Sequence, residues 1–179
     1  MAFRQQASGA SVTVMETERL VLREVEQADA PFILELLNSP GFLENIGDRG
    51  VRTEEEARSY IVERMIGSYR EHGFGMWLTV QKLDKAPVGL AGLVRREGLD
   101  MPDVGYAFTP RAWGQGYAQE AAAAVLAHAR GPLGIPKLAA ITTLENFASM
   151  AVLRKIGFAY QGTIQLPGLD RESTYFTSP

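Results

Sequence analysis

Residues 104 to 130 read as strand, glycine loop and helix in direct succession. Val104 to Phe108 is a short apolar run and Thr109-Pro110 breaks it. Gly114-Gln115-Gly116-Tyr117-Ala118 follows, and the segment from Ala118 to Arg130 carries Ala121 to Ala124, Val125 and Leu126, a composition of strong helix propensity. A strand that hands over to a helix within so few residues packs with it face to face, which restricts the chain to folds that layer helices on a sheet. The loop also has a chemical meaning. A helix N-terminus carries unpaired N–H groups and a partial positive charge, and Gly114 and Gly116 lack the Cβ atoms that would hold an anion away, so the loop can cradle a phosphate. No Gly-Lys-Ser/Thr follows, which excludes a Walker loop, and Gly-x-Gly-Tyr-Ala-Gln-Glu lacks the third glycine of a dinucleotide fingerprint. With neither a lysine nor a pair of magnesium ligands nearby, such a loop would hold a pyrophosphate through backbone amides alone, which suits a coenzyme that is not cleaved there. An ordinary glycine-containing turn is the competing reading, and the loop by itself does not choose between them.

The remaining elements follow from periodicity. Val14 to Glu24 alternates Leu20 and Leu22 with Arg19, Val21 and Arg23 and predicts a half-buried first strand. Asp29 caps a short helix with Pro31 in its first turn and Phe32, Ile33, Leu36 and Leu37 on one face, ended by Ser39-Pro40-Gly41. A Thr53/Glu56 capping box opens a second helix, in which Ala57, Ile61, Met65 and Tyr69 recur every fourth residue as far as Gly73. Met76 to Val80 and Val88 to Val94 flank a turn at Asp84 to Pro87 as a hairpin. After Gly131-Pro132 come a strand over Leu138 to Thr142, a helix from about Phe147 to Lys155, and closing strands at Phe158 to Ile164 and Thr174 to Thr177. This order predicts an α+β fold with a mostly antiparallel sheet and helices over both faces.

Composition narrows the function classes. The chain has 179 residues, 46% of them hydrophobic, enough for one core, so residues 13–179 are expected as a single domain. Residues 1–12 are small and polar without an apolar h-region and are expected as a flexible leader. A net charge of −3 argues against nucleic acid as a partner. The absence of cysteine excludes thiolate zinc sites and cysteine nucleophiles and fits a reducing cytoplasm. No apolar run approaches the ~18 residues a membrane span needs.

A second motif lies downstream. In Asn146-Phe147-Ala148-Ser149 an Asn and a Ser stand one helical turn apart at a helix start, and Gly157 stops that helix before Phe158 opens a strand. Asn146 as a plain N-cap is one reading, a cofactor contact the other.

Taken together these residues resemble the GCN5-related N-acetyltransferase (GNAT) superfamily, and more narrowly its RimJ/RimL branch. The resemblance rests on Glu16 to Arg23, on Asp103-Val104-Gly105-Tyr106, on Trp113 to Glu120 and on Asn146 to Phe158, and so spans most of the chain. It implies a mixed sheet of six to seven strands flanked by about four helices and splayed between strands 4 and 5. It implies acetyl-CoA as cosubstrate, with no metal, and a homodimer is compatible with it. The pantetheine arm would pair with the backbone of Tyr106, Ala107 and Phe108, the pyrophosphate would lie on Gly114, Gln115, Gly116, Tyr117, Ala118 and Gln119, and Asn146 would touch the pantetheine arm. Trp113 stands where the family loop usually begins with Gln or Arg, although Arg111 offers a competing register two residues earlier. Glu120 would anchor the loop or simply complement the helix dipole.

The implied reaction is direct attack of an amine on the acetyl thioester. Asp103 is the positional candidate for the base, directly or through water, unless a strand bulge turns it to solvent. The tyrosine that many members use as acid would fall at Leu153, so Ser149 is its substitute. The acceptor pocket would be built by Asn38 to Val51 and Gln165 to Glu172, where Glu44, Asp48, Asp170 and Glu172 could face a cationic amine. Peptide N-termini and small amines fit equally. A catalytically silent acyl-CoA-binding module and a ligand-free scaffold are the alternatives.

Overall fold

The computed structural model describes residues 11–179, so the expected leader lies outside the described residues apart from its last two positions. Eight strands form a single sheet in the order β1-β2-β3-β4-β5-β6-β8-β7. They are β1 (Thr13–Glu16), β2 (Leu20–Arg23), β3 (Met76–Gln81), β4 (Pro87–Val94), β5 (Asp103–Phe108), β6 (Ala139–Thr143), β7 (Ala159–Ile164) and β8 (Ser173–Thr177). All neighbouring pairs are antiparallel except β5 and β6. Among the described residues no helix is long and apolar enough to cross a membrane.

The sheet has one strand more than expected because the segment read as one first strand folds back on itself. Thr17 donates its N–H to the Leu20 carbonyl at 2.9 Å and accepts the Leu20 N–H on its hydroxyl at 3.0 Å. This side-chain-assisted turn makes β1 and β2 a hairpin. The splay therefore falls between β5 and β6.

The helices are α1 (Ala30–Leu37), α2 (Pro40–Asn45), α3 (Glu54–Tyr60), α4 (Gly67–His72), α5 (Tyr117–Arg130) and α6 (Phe147–Lys155). Ser39-Pro40-Gly41 follows the end of α1 at Leu37, as expected, and also starts α2, which was not expected, since proline at the first helical position costs no hydrogen bond. The Thr53/Glu56 capping box forms as expected. The helix it opens runs through a π-helical stretch, Ile61–Ile66, into α4 and ends at Gly73 in the left-handed region. Counting that rod once, five helices flank the sheet.

Each face of the sheet has its own apolar layer. Leu20, Leu22, Trp77, Leu93, Val104 and Phe108 meet Val125 of α5 and Leu153 of α6. Leu78 and Leu90 meet Ile33 and Leu36 of α1 and Ala57 of α3 on the opposite side. Burying side chains of this size is worth about 1.5–3 kcal/mol each.

The pairing of β5 positions everything that follows. Against β4 it is continuous from Gly89↔Phe108 to Val94↔Asp103, with no bulge, so Asp103 keeps the face that strict alternation assigns it. Against β6 it pairs only at Asp103↔Ala139. Beyond that bridge the two parallel strands diverge and leave a wedge.

Gly92, opposite Gly105 in β5, tests this geometry. A Cβ there would lie 2.0 Å from the Gly75 carbonyl oxygen, which also accepts the Leu93 N–H at 3.0 Å. Gly92→Ala is expected to lower stability by about 2 kcal/mol or more, read as a drop in the urea midpoint at unchanged m-value.

Candidate active site

The wedge between β5 and β6 opens into a cleft of about 1500 Å3, lined also by α2, the α3–α4 rod, the start of α6 and the β7–β8 connection. Its edge is backbone. Thr109 donates its N–H to the Val88 carbonyl at 3.0 Å, which sets the phase of the β4–β5 ladder. Antiparallel alternation then commits the backbone groups of Ala107 to β4 and turns those of Tyr106 and Phe108 towards the wedge. The Phe108 carbonyl is already taken by the Trp113 indole N–H at 2.9 Å. Of the three residues expected to offer backbone contacts, Tyr106 therefore offers most and Ala107 lines the cleft from the other face.

The glycine loop follows the end of β5 at which β6 has already diverged. Gly114 and Gly116 have φ of 74° and 79°, left-handed values that disfavour other residues. The N–H groups of Gly114, Gln115, Gly116, Tyr117, Ala118 and Gln119 have no acceptor among the described residues, while Glu120 N–H returns to the Gly116 carbonyl at 3.1 Å. Six consecutive donors at the head of α5 form an anion cradle.

The cradle is clamped by the β1–β2 turn. Glu120 accepts the Thr17 hydroxyl at 2.5 Å and the Arg19 N–H at 2.9 Å on one oxygen, and Arg19 Nε at 2.7 Å on the other. Burial alone would raise the Glu120 carboxyl, but the Thr17 and Arg19 bonds outweigh it and hold it below its usual range. Arg19 continues to the Gln115 carbonyl at 2.8 Å and lies 4.6 Å from the centre of the Tyr117 ring. Tyr117 itself is packed in the core, so only its backbone faces the cradle. Arg111 is paired with Glu35 at 2.6 Å instead of reaching into the cradle. Trp113 packs on α2, where a Cβ on Gly41 would come within 2.7 Å of its ring.

At the narrow end, α6 presents its first turn. Asn146 Oδ1 accepts the Ser149 N–H at 3.1 Å, so the plain capping role is realised, whatever else its amide does. The Ser149 hydroxyl lies 2.8 Å from the Tyr106 hydroxyl, which also donates to the Ser149 carbonyl at 3.1 Å. Burial pushes the Tyr106 phenol up to about 12, the Ser149 bond pulling the other way, so it is neutral near pH 7. Leu153, at the position of the missing tyrosine, is a core residue. The sequence reading used Tyr106 only for its backbone. Strand alternation, which sets Tyr106 beside Val104 and Phe108, was the signal for its side chain.

Asp103 sits at the base of the wedge, 1% exposed, with Arg96 Nε at 3.0 and 3.1 Å from its two carboxylate oxygens. Burial raises its carboxyl to about 6 against the opposing pull of Arg96. Arg96 had no signal in the sequence, because it lies two residues beyond the end of β4, in the connection that folds back beside Asp103. Glu44, Asp48, Asp170 and Glu172 are exposed on the rim, where Asp48 pairs with Arg52 and Glu172 bonds Thr163. Among the described residues no group of three or more His, Cys, Asp or Glu could hold a metal ion.

Comparison with known proteins matches this arrangement. The model of the acetyltransferase (GNAT) domain aligns with residues 19–159. The chain is 31% identical to the uncharacterized protein YkkB of Bacillus subtilis over 86% of its own length and 89% of that protein's. It is 25% identical to the uncharacterized N-acetyltransferase YoaA of the same organism, over 85% and 86% of the two chains. In fold it is similar to RimL, a ribosomal L7/L12 alpha-N-protein acetyltransferase solved in complex with coenzyme A, with a TM-score of 0.78 at 20% identity over 92% and 96% of the chains. The single-bridge wedge, the amide cradle and the family match over residues 19–159 place this chain in the GNAT family of acetyltransferases, enzymes that use acetyl-CoA.

Proposed function

We propose that residues 13–179 form one acetyl-CoA-dependent N-acetyltransferase domain that transfers the acetyl group directly to a primary amine, either a peptide N-terminus or a small molecule. The observation that carries this reading is the pair of unsatisfied backbone surfaces on one strand–loop–helix unit, the edge of β5 at Tyr106 and the six free amides at the head of α5. Acetyl-CoA fits that shape: a pyrophosphate suits the cradle, where Gly114 has no neighbour within 4 Å of a built Cβ, and an amide-bearing arm suits the strand edge. When bound, it supplies a thioester whose carbonyl carbon the amine attacks, the C–S bond breaking to release a thiolate.

In this reading the chain's own groups manage two protons. Asp103 takes the proton of the incoming ammonium through water, since Arg96 occupies the approach to both of its oxygens. Ser149 gives its hydroxyl proton towards the thiolate, the Tyr106 hydroxyl 2.8 Å away returns one to it, and Tyr106 regains its own from water in the cleft. This relay answers the absence of a tyrosine at 153 and favours an enzyme over a silent CoA-binding module. Arg19 and Glu120 act as positioning residues that hold the cradle open.

Acetyl-CoA at a hundredfold excess over its Kd is expected to raise Tm by about 5–10 °C, and Gly116→Asp to abolish the shift. Stabilisation without thiol release from any amine would support the silent module instead. Because a base must be deprotonated to work, kcat/KM is expected to rise with pH through about 6 and level off above it, and Asp103→Asn to lose that limb. A double-mutant cycle on Arg19→Ala and Glu120→Ala is expected to show a coupling of about 1 kcal/mol in acetyl-CoA binding, because the two groups act on the loop as one unit.

A further inference from the structure

The acceptor side of the cleft is lined by many charged residues, and nearly all of them stand on its rim. Glu44, Asp48, Arg49, Glu55, Glu63 and Arg171 are typical, exposed and of both signs. Such side chains keep their water and select weakly. Among the charged residues that line the cleft, Asp103 alone is buried and Arg96 alone half-buried, and they are paired with each other.

The pairing is lopsided. Arg96 uses Nε alone for both Asp103 oxygens, and among the described residues its Nη1 and Nη2 groups have no hydrogen-bond partner. The guanidinium is thereby fixed in orientation by a carboxylate that is itself 1% exposed, with its outer donors left over. The floor around it is small and apolar. Gly105 and Val94 lie on the same face of the sheet as Asp103, and a Cβ on Gly105 would meet Met76 Sδ at 3.4 Å and Val94 Cγ2 at 3.8 Å. A planar guanidinium whose terminal Nη1/Nη2 edge is free matches a carboxylate better than it matches any neutral group.

We propose that Arg96 is the specificity-determining receptor for a carboxylate on the acceptor, so that the preferred substrates are amines bearing a carboxylate within a few bonds of the nitrogen. Free α-amino acids and peptides with an acidic residue next to the N-terminus share this chemistry. Asp103 then has two functions, proton acceptor for the amine and anchor for the group that recognises the anion beside it. The proposal rests on the acetyltransferase reading above and adds its substrate class.

The test compares matched acceptors: glycine with glycinamide, glutamate with glutamine, and the dipeptide amides Ser-Asp and Ser-Asn. Wild-type protein is expected to favour the carboxylate member of at least one pair by about tenfold or more in kcat/KM, through KM, and the pair that discriminates identifies the source of the carboxylate. Arg96→Gln is expected to reduce that ratio about tenfold, and Arg96→Lys, which keeps the charge but loses the fork, to fall between. Equal use of both members of every pair, or a ratio that survives Arg96→Gln, overturns the proposal. A merely structural Arg96 would lower both members alike. Calorimetric binding of the same pairs to the CoA-loaded protein separates the two readings. Discrimination in binding without turnover overturns the acetyltransferase reading alone, and turnover without discrimination overturns the receptor. Should Arg96→Gln fail to fold, Arg96→Lys and the wild-type ratios still decide.

Discussion

A single backbone bridge, Asp103↔Ala139, holds the two halves of the sheet together, and the site exists because there is only one. Parallel strands normally continue their ladder, and an unpaired strand edge carries N–H and C=O groups that need partners. Here β5 is fully paired on one side with β4, and β6 on its far side with β8, so each can leave the other without losing its place in the sheet. The divergence leaves a backbone edge that a bound amide-bearing chain can satisfy, and the glycine loop follows β5 at its diverged end after one short turn.

Rigidity around the opening comes from contacts distant in sequence. The β1–β2 turn reaches over the loop through Arg19 and Thr17 to Glu120, more than 100 positions away. Trp113 links the loop to α2 through Gly41 and to β5 through the Phe108 carbonyl. These ties explain why two separate stretches of the family resemblance, Glu16 to Arg23 and Trp113 to Glu120, occur together: they are the two sides of one clamp. An anion cradle made of backbone donors works only if it does not have to reorganise when filled, and the clamp supplies that preorganisation.

The two ends of β5 treat ionisable groups differently. At Tyr106 burial favours the neutral phenol and Ser149 gives it a partner, so a proton is stored beside the α6 N-terminus. At Asp103 burial and Arg96 oppose each other and leave the carboxyl close to 6, within reach of physiological titration. The pair lies on opposite faces of one strand, because residues 103 and 106 differ in parity. One strand thus presents an ionisable side chain on each of its faces.

Much of this was legible in the residues alone. The glycine loop, the α5 and α6 helices, the capping box at Thr53 and the alternation of β5 all follow from local rules of φ, capping and period, which act over a few neighbours. So does the family, since its motifs are contiguous. The β1–β2 fold-back was read as one strand and α2 was missed, because a polar break inside a strand and a proline after a serine each have two local outcomes. What only the tertiary structure decided was pairing at a distance: Arg96 with Asp103, Tyr106 with Ser149, Arg19 with Glu120, and the parting of β5 from β6. Local sequence carries conformational preference, but a side chain's partner and its pKa depend on which elements the sheet order brings together. The glycine loop, Asp103 and Ser149 were therefore legible as candidates in the sequence, and the partners that surround them were not.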